Sequence, residues 1–168
     1  DAAHHAAYWT GPVEPLAPAA LEGAALVVDA IFGAGLARPV EGIAAETLRA
    51  AAAGPAPIVA VDLPSGVAGD TGDVLGVAAP AALTVTFFRK KPAHLLAPGR
   101  FLAGEVVVVD IGTPPAAAAS ARAFENGPAL WPEAPAPLDP AGHKYGRGHA
   151  LVAGGLETTG AARLVAKA

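Results

Sequence analysis

Three stretches of the chain are apolar at nearly every position and carry an aspartate near their end: AALVVDAIF (24–32), PIVAVDL (57–63) and GEVVVVDIG (104–112). A fourth run, ALTVTFF (82–88), has the same character. Runs of strand length, rich in Val and Ile and without a polar alternation, read as strands buried on both faces, the habit of parallel sheets. EGIAAETLRAAAA (41–53) has helical composition and is stopped by GPAP. Residues 1–9 read as the end of a helix, and TGPVEPL (10–16) as a turn followed by a short extended piece. Strands alternating with a helix predict an α/β fold, a parallel sheet covered by helices on both faces.

The pattern changes after residue 113. TPPAAAASARAFENGPALWPEAPAPLDPAG is rich in Pro and Ala and has no strand period, so residues 114–142 are expected to be a linker between a first domain, 1–113, and a second part, 143–168. The second part, HKYGRGHALVAGGLETTGAARLVAKA, predicts a strand, a turn at Gly154–Gly155, and a helix starting near Thr158 or Thr159, whose hydroxyls suit an N-cap. One strand and one helix cannot bury their apolar faces alone, which implies a further domain. There is no methionine, even at position 1, and DAAHHAAYW opens inside helix-like sequence. Both point to a chain that begins within a longer reading frame.

Composition narrows the classes. Of the 168 residues 53% are hydrophobic but only 5% aromatic, so the core is expected to be built from Val, Leu, Ile and Ala. No apolar run reaches the roughly 18 residues of a membrane span and no signal segment opens the chain, an expectation of a cytoplasmic protein without a membrane partner. Cysteine is absent, which removes disulfides and thiolate metal sites. A formal charge of −4 with eleven Lys and Arg argues against nucleic acid as a partner, since that affinity comes from neutralising phosphates.

In an open parallel sheet, ligands bind beyond the carboxyl ends of the strands, where Asp29, Asp62 and Asp110 are expected to lie. A carboxylate there can accept hydrogen bonds from a ligand, bind a cation or transfer a proton; it can also simply cap the following turn. Asp62 departs from the capping role because DLPSG sets Pro64 and Gly66 around Ser65, a tight loop that would aim Asp62 and Ser65 at one point. With Asp29 from the neighbouring strand end, such a group suits a monovalent or alkaline-earth ion better than zinc. The loop GAGLARP, residues 33–39, offers backbone amides for a phosphate with Arg38 as a charge partner, or is a turn between strand and helix.

Other polar residues read more plainly. His4 and His5 are expected to be solvated; Lys90 and Lys91 could approach a phosphate but read rather as a solvated charge pair at a strand end. Ser65 lies in PSG and not in a Gly-x-Ser-x-Gly elbow, which disfavours a serine hydrolase. Tyr145 and Arg147 in HKYGRGH suggest a docking or ligand role. No GxGxxG follows the first strand, which excludes an ordinary NAD dehydrogenase.

VVDAIFGAGLARPVEG, VAVDLPSGVAGDTGDVLG and LTVTFFRKKPAHLLAPGRFLAGEVVVVDIGTP together resemble the later two-thirds of the YjeF-N domain, the NAD(P)H-hydrate epimerase. HKYGRGHALVAGG with TGAARLVAKA resembles the opening of the ADP-dependent NAD(P)H-hydrate dehydratase domain, which has a ribokinase-like fold. In that order the motifs resemble the bifunctional NAD(P)H-hydrate repair enzymes, truncated at both ends.

The resemblance implies a Rossmann-like sheet followed by the first β-α unit of a ribokinase-like domain. It implies NADHX and NADPHX as substrates, epimerised between R and S forms, with ADP as co-substrate of the dehydratase part. A homo-oligomer is compatible with it. By motif, Asp29 and Ser65 would be K+ ligands. Gly33, Ala34, Gly35, Leu36, Ala37, Arg38 and Pro39 would bind the phosphate side of the substrate, and Asp62 would contact the hydrated nicotinamide and carry the chemistry. The family's upstream Gly-rich segment with paired asparagines is not in these 168 residues, the dehydratase part stops after its first helix, and Leu156 stands where a small polar residue is commoner. A noncatalytic scaffold that keeps the fold and a ligand pocket is the alternative reading.

Overall fold

The computed structural model describes residues 2–130, 140–143, 146, 148–155 and 159–167. The chain divides into two compact units, residues 1–125 and 126–168.

The first unit is organised on four parallel strands, β1 Val27–Asp29, β2 Ile58–Val61, β3 Leu83–Phe87 and β4 Glu105–Val109, in the spatial order β1-β2-β3-β4. All four predicted apolar runs are therefore strands, and the α/β class is as expected. A short helix, α1 (Ala2–Ala6), precedes them, and α2 (Gly42–Ala53) joins β1 to β2. Ala45, Leu48 and Ala51, three residues apart, form the buried stripe of α2 and pack with Ile58 and Ala60 of β2 and with Val40, Ala79 and Ala81. Alanine at five of these eight positions lets helix, loop and sheet approach closely, so this core gains more from backbone proximity than from side-chain bulk. A one-turn α-helix, α3 (Gly99–Leu102), leads into β4.

Cover of the two sheet faces is unequal. The register places Val28 beside Val59, Val61 beside Val85, and Val85 and Phe87 beside Val107 and Val109, all on the face away from α2. Val28 is 61% exposed and Val107 and Val109 about 40%. Apolar strands signal that both faces suit burial, but the described helices of this unit other than α2 are five residues or shorter, too short to cover a sheet face.

In the second unit, α4 (Gly160–Val165) forms where a helix is predicted, with Thr159 in the N-cap position but making no side-chain capping bond. Residues 148–155, where a strand is predicted, form no strand. Tyr145, Arg147, Leu156 and Thr158 lie outside the described residues.

Candidate active site

The loops following β1, β2 and β3 converge at the carboxyl ends of the strands. Asp29 is the last residue of β1, 3% exposed, and its carboxylate holds the DLPSG loop: Ser65 N–H donates to Oδ2 at 2.7 Å and Ser65 Oγ donates to Oδ1 at 2.5 Å. Ser65 Oγ in turn accepts the N–H of Phe32 at 2.9 Å and lies 3.3 Å from the Phe32 carbonyl oxygen. Asp29, Ser65 and Phe32 thus gather carboxylate, hydroxyl and carbonyl oxygens in one buried place. Neither ion pair found among the described residues reaches Asp29, so the protein partners of its charge are neutral donors.

Gly66 makes this loop feasible. Its φ is +99°, and a Cβ there would sit 1.8 Å from the carbonyl oxygen of Val77. The turn is pinned from both sides, by Val67 N–H on the Pro64 carbonyl at 3.1 Å and by Leu75 N–H on the Gly66 carbonyl at 2.7 Å.

Asp62 follows β2 with φ 70°, a left-handed conformation that aspartate tolerates better than most residues. Its Oδ2 accepts the Ala34 N–H at 3.1 Å; its Oδ1 accepts the Thr86 hydroxyl at 2.9 Å and pairs with Lys91. The Lys91 ammonium also donates to Thr86 Oγ1 at 2.8 Å and to the Phe87 carbonyl at 3.2 Å, which occupies its three protons. A carboxylate has about four acceptor sites. Three are taken, leaving one on Oδ2, and the Asp62 side chain is 20% exposed. Burial by itself would raise this carboxyl, but the bonds from Lys91, Ala34 and Thr86 and the Lys91 charge outweigh it and hold Asp62 below its ordinary value.

The DLPSG loop therefore does not aim Asp62 and Ser65 at one point. Ser65 holds Phe32, Asp62 holds Ala34, and Asp62 balances an ammonium instead of joining the oxygen cluster. Asp110 is different again: it is exposed and its Oδ1 accepts the Gly112 N–H at 2.8 Å, the turn-capping role. Lys91 is likewise not the solvated charge expected of it, whereas Lys90 pairs with Glu125 at the surface.

Gly33, Gly35, Leu36, Ala37 and Arg38, with Ile31 and Phe32, line a cavity of about 440 Å³, and Ala34 is not among its lining residues. Gly33 lies against Asp62, whose Oδ2 would be 3.1 Å from an added Cβ. Leu36 N–H closes a turn on the Gly33 carbonyl at 3.2 Å. Pro39 stands beside this cavity, at the wall of a neighbouring one of about 290 Å³.

Sequence reasoning missed Thr86 and His94. The alternation of Thr84 and Thr86 in an otherwise apolar strand was the available signal: both are fully buried on one face, Thr84 bonding the Ala103 carbonyl and Thr86 serving Asp62. His94 carried no comparable signal, because its partners are main-chain atoms. It is 5% exposed, its Nδ1 accepts the Lys91 N–H at 2.8 Å, and its Nε2 donates to the Asp62 carbonyl at 2.9 Å. Burial pushes the His94 imidazole below its ordinary value, more than the bond to the Asp62 carbonyl raises it, and the Lys91 charge adds to the lowering.

A pH dependence follows. With the folded His94 below 6.5, the unfolded chain takes up the proton first on acidification. The stability that neutral His94 contributes is complete above pH 6.5 and is lost as pH falls toward the folded value; that of Asp62 is complete above 3.8 and lost below it. Thermal melts between pH 7.5 and 5 are expected to show stability falling by at most about 1.4 kcal/mol per pH unit from His94. The same melts of His94→Gln should be flatter; an equal slope would exclude His94 as the source.

The chain matches the family described as YjeF-related protein N-terminus over residues 2–93, more than half of its length. Among curated proteins it is similar to the NAD(P)H-hydrate epimerase of Limosilactobacillus fermentum, 48% identical over 108 residues that make up 64% of this chain and 51% of the relative. It is also similar to the bifunctional NAD(P)H-hydrate repair enzyme Nnr of Thermofilum pendens, 43% identical over 145 residues, 84% of this chain and 27% of the relative. The enzyme of the same name from Mycobacterium tuberculosis is 46% identical over 87 residues, 52% of this chain and 18% of the relative. The chain spans about half or less of the length of these relatives.

Proposed function

Because this chain belongs to the YjeF-N family, we propose that it forms part of an NAD(P)H-hydrate repair enzyme that interconverts the R and S epimers of NADHX and NADPHX in the cytoplasm. The observation that carries the reading is Asp62: an ionised carboxylate at the carboxyl end of a parallel strand, held by three donors, with one acceptor site left beside the Gly33 loop. Epimerisation at the hydrated carbon requires reversible loss and return of a group with transfer of a proton, for which one positioned carboxylate is sufficient. The cavity along residues 33–39 receives the dinucleotide, with Arg38 and the loop amides toward its phosphates. The Ala34 and Leu36 N–H groups are excepted, since they serve Asp62 and the Gly33 carbonyl.

K+ fits the cluster beside it. Hard oxygen donors and a single carboxylate suit a monovalent cation, and Asp29, Ser65 and the Phe32 carbonyl are the residues that would hold it. When bound, the ion supplies a fixed positive charge that offsets Asp29 and steadies the loops carrying Asp62 and Gly33. ADP is the co-substrate of the dehydratase whose opening residues 143–168 resemble, and no residue of this chain is assigned to it.

The full-length protein incubated with R-NADHX in potassium buffer, with epimers resolved chromatographically over time, should form the S epimer faster than the spontaneous rate. Conversion at only the spontaneous rate sinks the reading. Exchange of K+ for tetramethylammonium at constant ionic strength should lower the melting temperature. At an ion concentration 100 times its Kd the difference is about 2.7 kcal/mol. Asp29→Asn should abolish this dependence, and equal melting in both salts would remove K+ from the proposal.

A further inference from the structure

We infer that His94 is a positioning residue for the proposed epimerisation, acting through the main chain of Asp62; the inference rests on the reading of Asp62 given above. His94 closes the turn Pro92–His94 that follows β3. Its Nδ1 accepts the Lys91 N–H, so that nitrogen carries no proton and Nε2–H is the donor to the Asp62 carbonyl. One neutral imidazole thereby joins the main chains of the two residues whose side chains form the ion pair.

Asp62 needs such a tie. Its left-handed backbone, φ 70°, costs a residue other than glycine about 1–2 kcal/mol and persists only where the surroundings impose it. The Asp62 N–H donates to the Val85 carbonyl at 2.8 Å. With His94 on its carbonyl, both polar groups of its main chain are held, one from β3 and one from the turn beyond it. Without the imidazole the carbonyl next to fully buried Leu63 loses its donor, and the peptide that orients the carboxylate is free to turn. A displacement of about 1 Å in a reacting group costs on the order of 10²-fold in rate. His94 does not line the cavity along residues 31–38, so its effect passes through Asp62.

Asparagine and glutamine separate the two bonds. Asparagine at this position reaches only as far as Nδ1 and can keep the Lys91 contact; glutamine reaches as far as Nε2 and can keep the contact to the Asp62 carbonyl. In the full-length protein, His94→Asn should lower kcat about 10²-fold and His94→Gln no more than about tenfold, with KM for NADHX within about threefold of wild type in both. Nitrogen-15 spectra of the histidine-labelled wild type at pH 7.5 should show His94 protonated on Nε2 and bare on Nδ1. An Nδ1 proton, or an asparagine variant as active as the glutamine variant, overturns the positioning role. A wild-type protein that does not epimerise the hydrate overturns the epimerase reading and, with it, the positioning role in that reaction; the tautomer, read without substrate, reports separately whether His94 holds the Asp62 carbonyl.

Discussion

Replacement of Asp62 by asparagine in the full-length protein is expected to lower the rate of hydrate epimerisation by about 10²–10⁴-fold, the range that a positioned acid or base contributes. Asparagine is the better probe than alanine, because Asp62 stands at φ 70° and asparagine shares aspartate's tolerance of that region. The amide can still accept the Ala34 N–H, but it cannot exchange a proton at neutral pH, and it leaves Lys91 without its counter-charge. Lys91 and Asp62 are each about one-fifth to one-quarter exposed, so water offsets part of that loss and the fold should survive. The experiment compares epimer interconversion with the circular-dichroism melt of the same variant. A variant that keeps its melt and loses the rate assigns the chemistry to Asp62; one that epimerises within about threefold of wild type removes it.

A larger effect on stability is expected at Gly66. Its substitution by alanine places a methyl group 1.8 Å from the Val77 carbonyl oxygen, at a φ of +99°. Neither partner can easily withdraw: the Gly66 carbonyl is bonded by Leu75, Leu63, Pro64 and Ser65 beside it are fully buried, and Val77 packs against the core. Gly66→Ala should therefore cost about 4 kcal/mol or more, in the class of overpacked and strained sites. Because Ser65 and Asp62 ride on the same loop, activity and K+ dependence should fall with it. Gly23→Ala is the control. Its φ is +72° with nothing within 4 Å of the added carbon, so only the left-handed penalty of about 1–2 kcal/mol applies. Midpoints of denaturant unfolding should separate the two variants by more than about 2 kcal/mol, and equal midpoints would show that the loop yields to the methyl group.

Much of the scaffold was determined by sequence alone. Val-rich runs without polar alternation specify buried parallel strands, and the helical composition of residues 41–53 specifies a helix, because both depend only on local side-chain character and hydration. The same local logic identified the strand-end carboxylates and the need for a tight turn at PSG, since Pro and Gly restrict or release the backbone wherever they stand. It could not assign those carboxylates their partners. Asp29, Asp62 and Asp110 look alike in sequence, yet one bonds Ser65, one pairs with Lys91 and one caps its own turn. Lys91 and His94 reach Asp62 across about thirty residues of chain, through contacts made only when β2 and β3 pair and the Pro92–His94 turn folds back. The strands and the turn were legible because their causes are local; the ion pair, the imidazole tie and the covered sheet face were decided by the tertiary structure, because each depends on which distant segment arrives beside it.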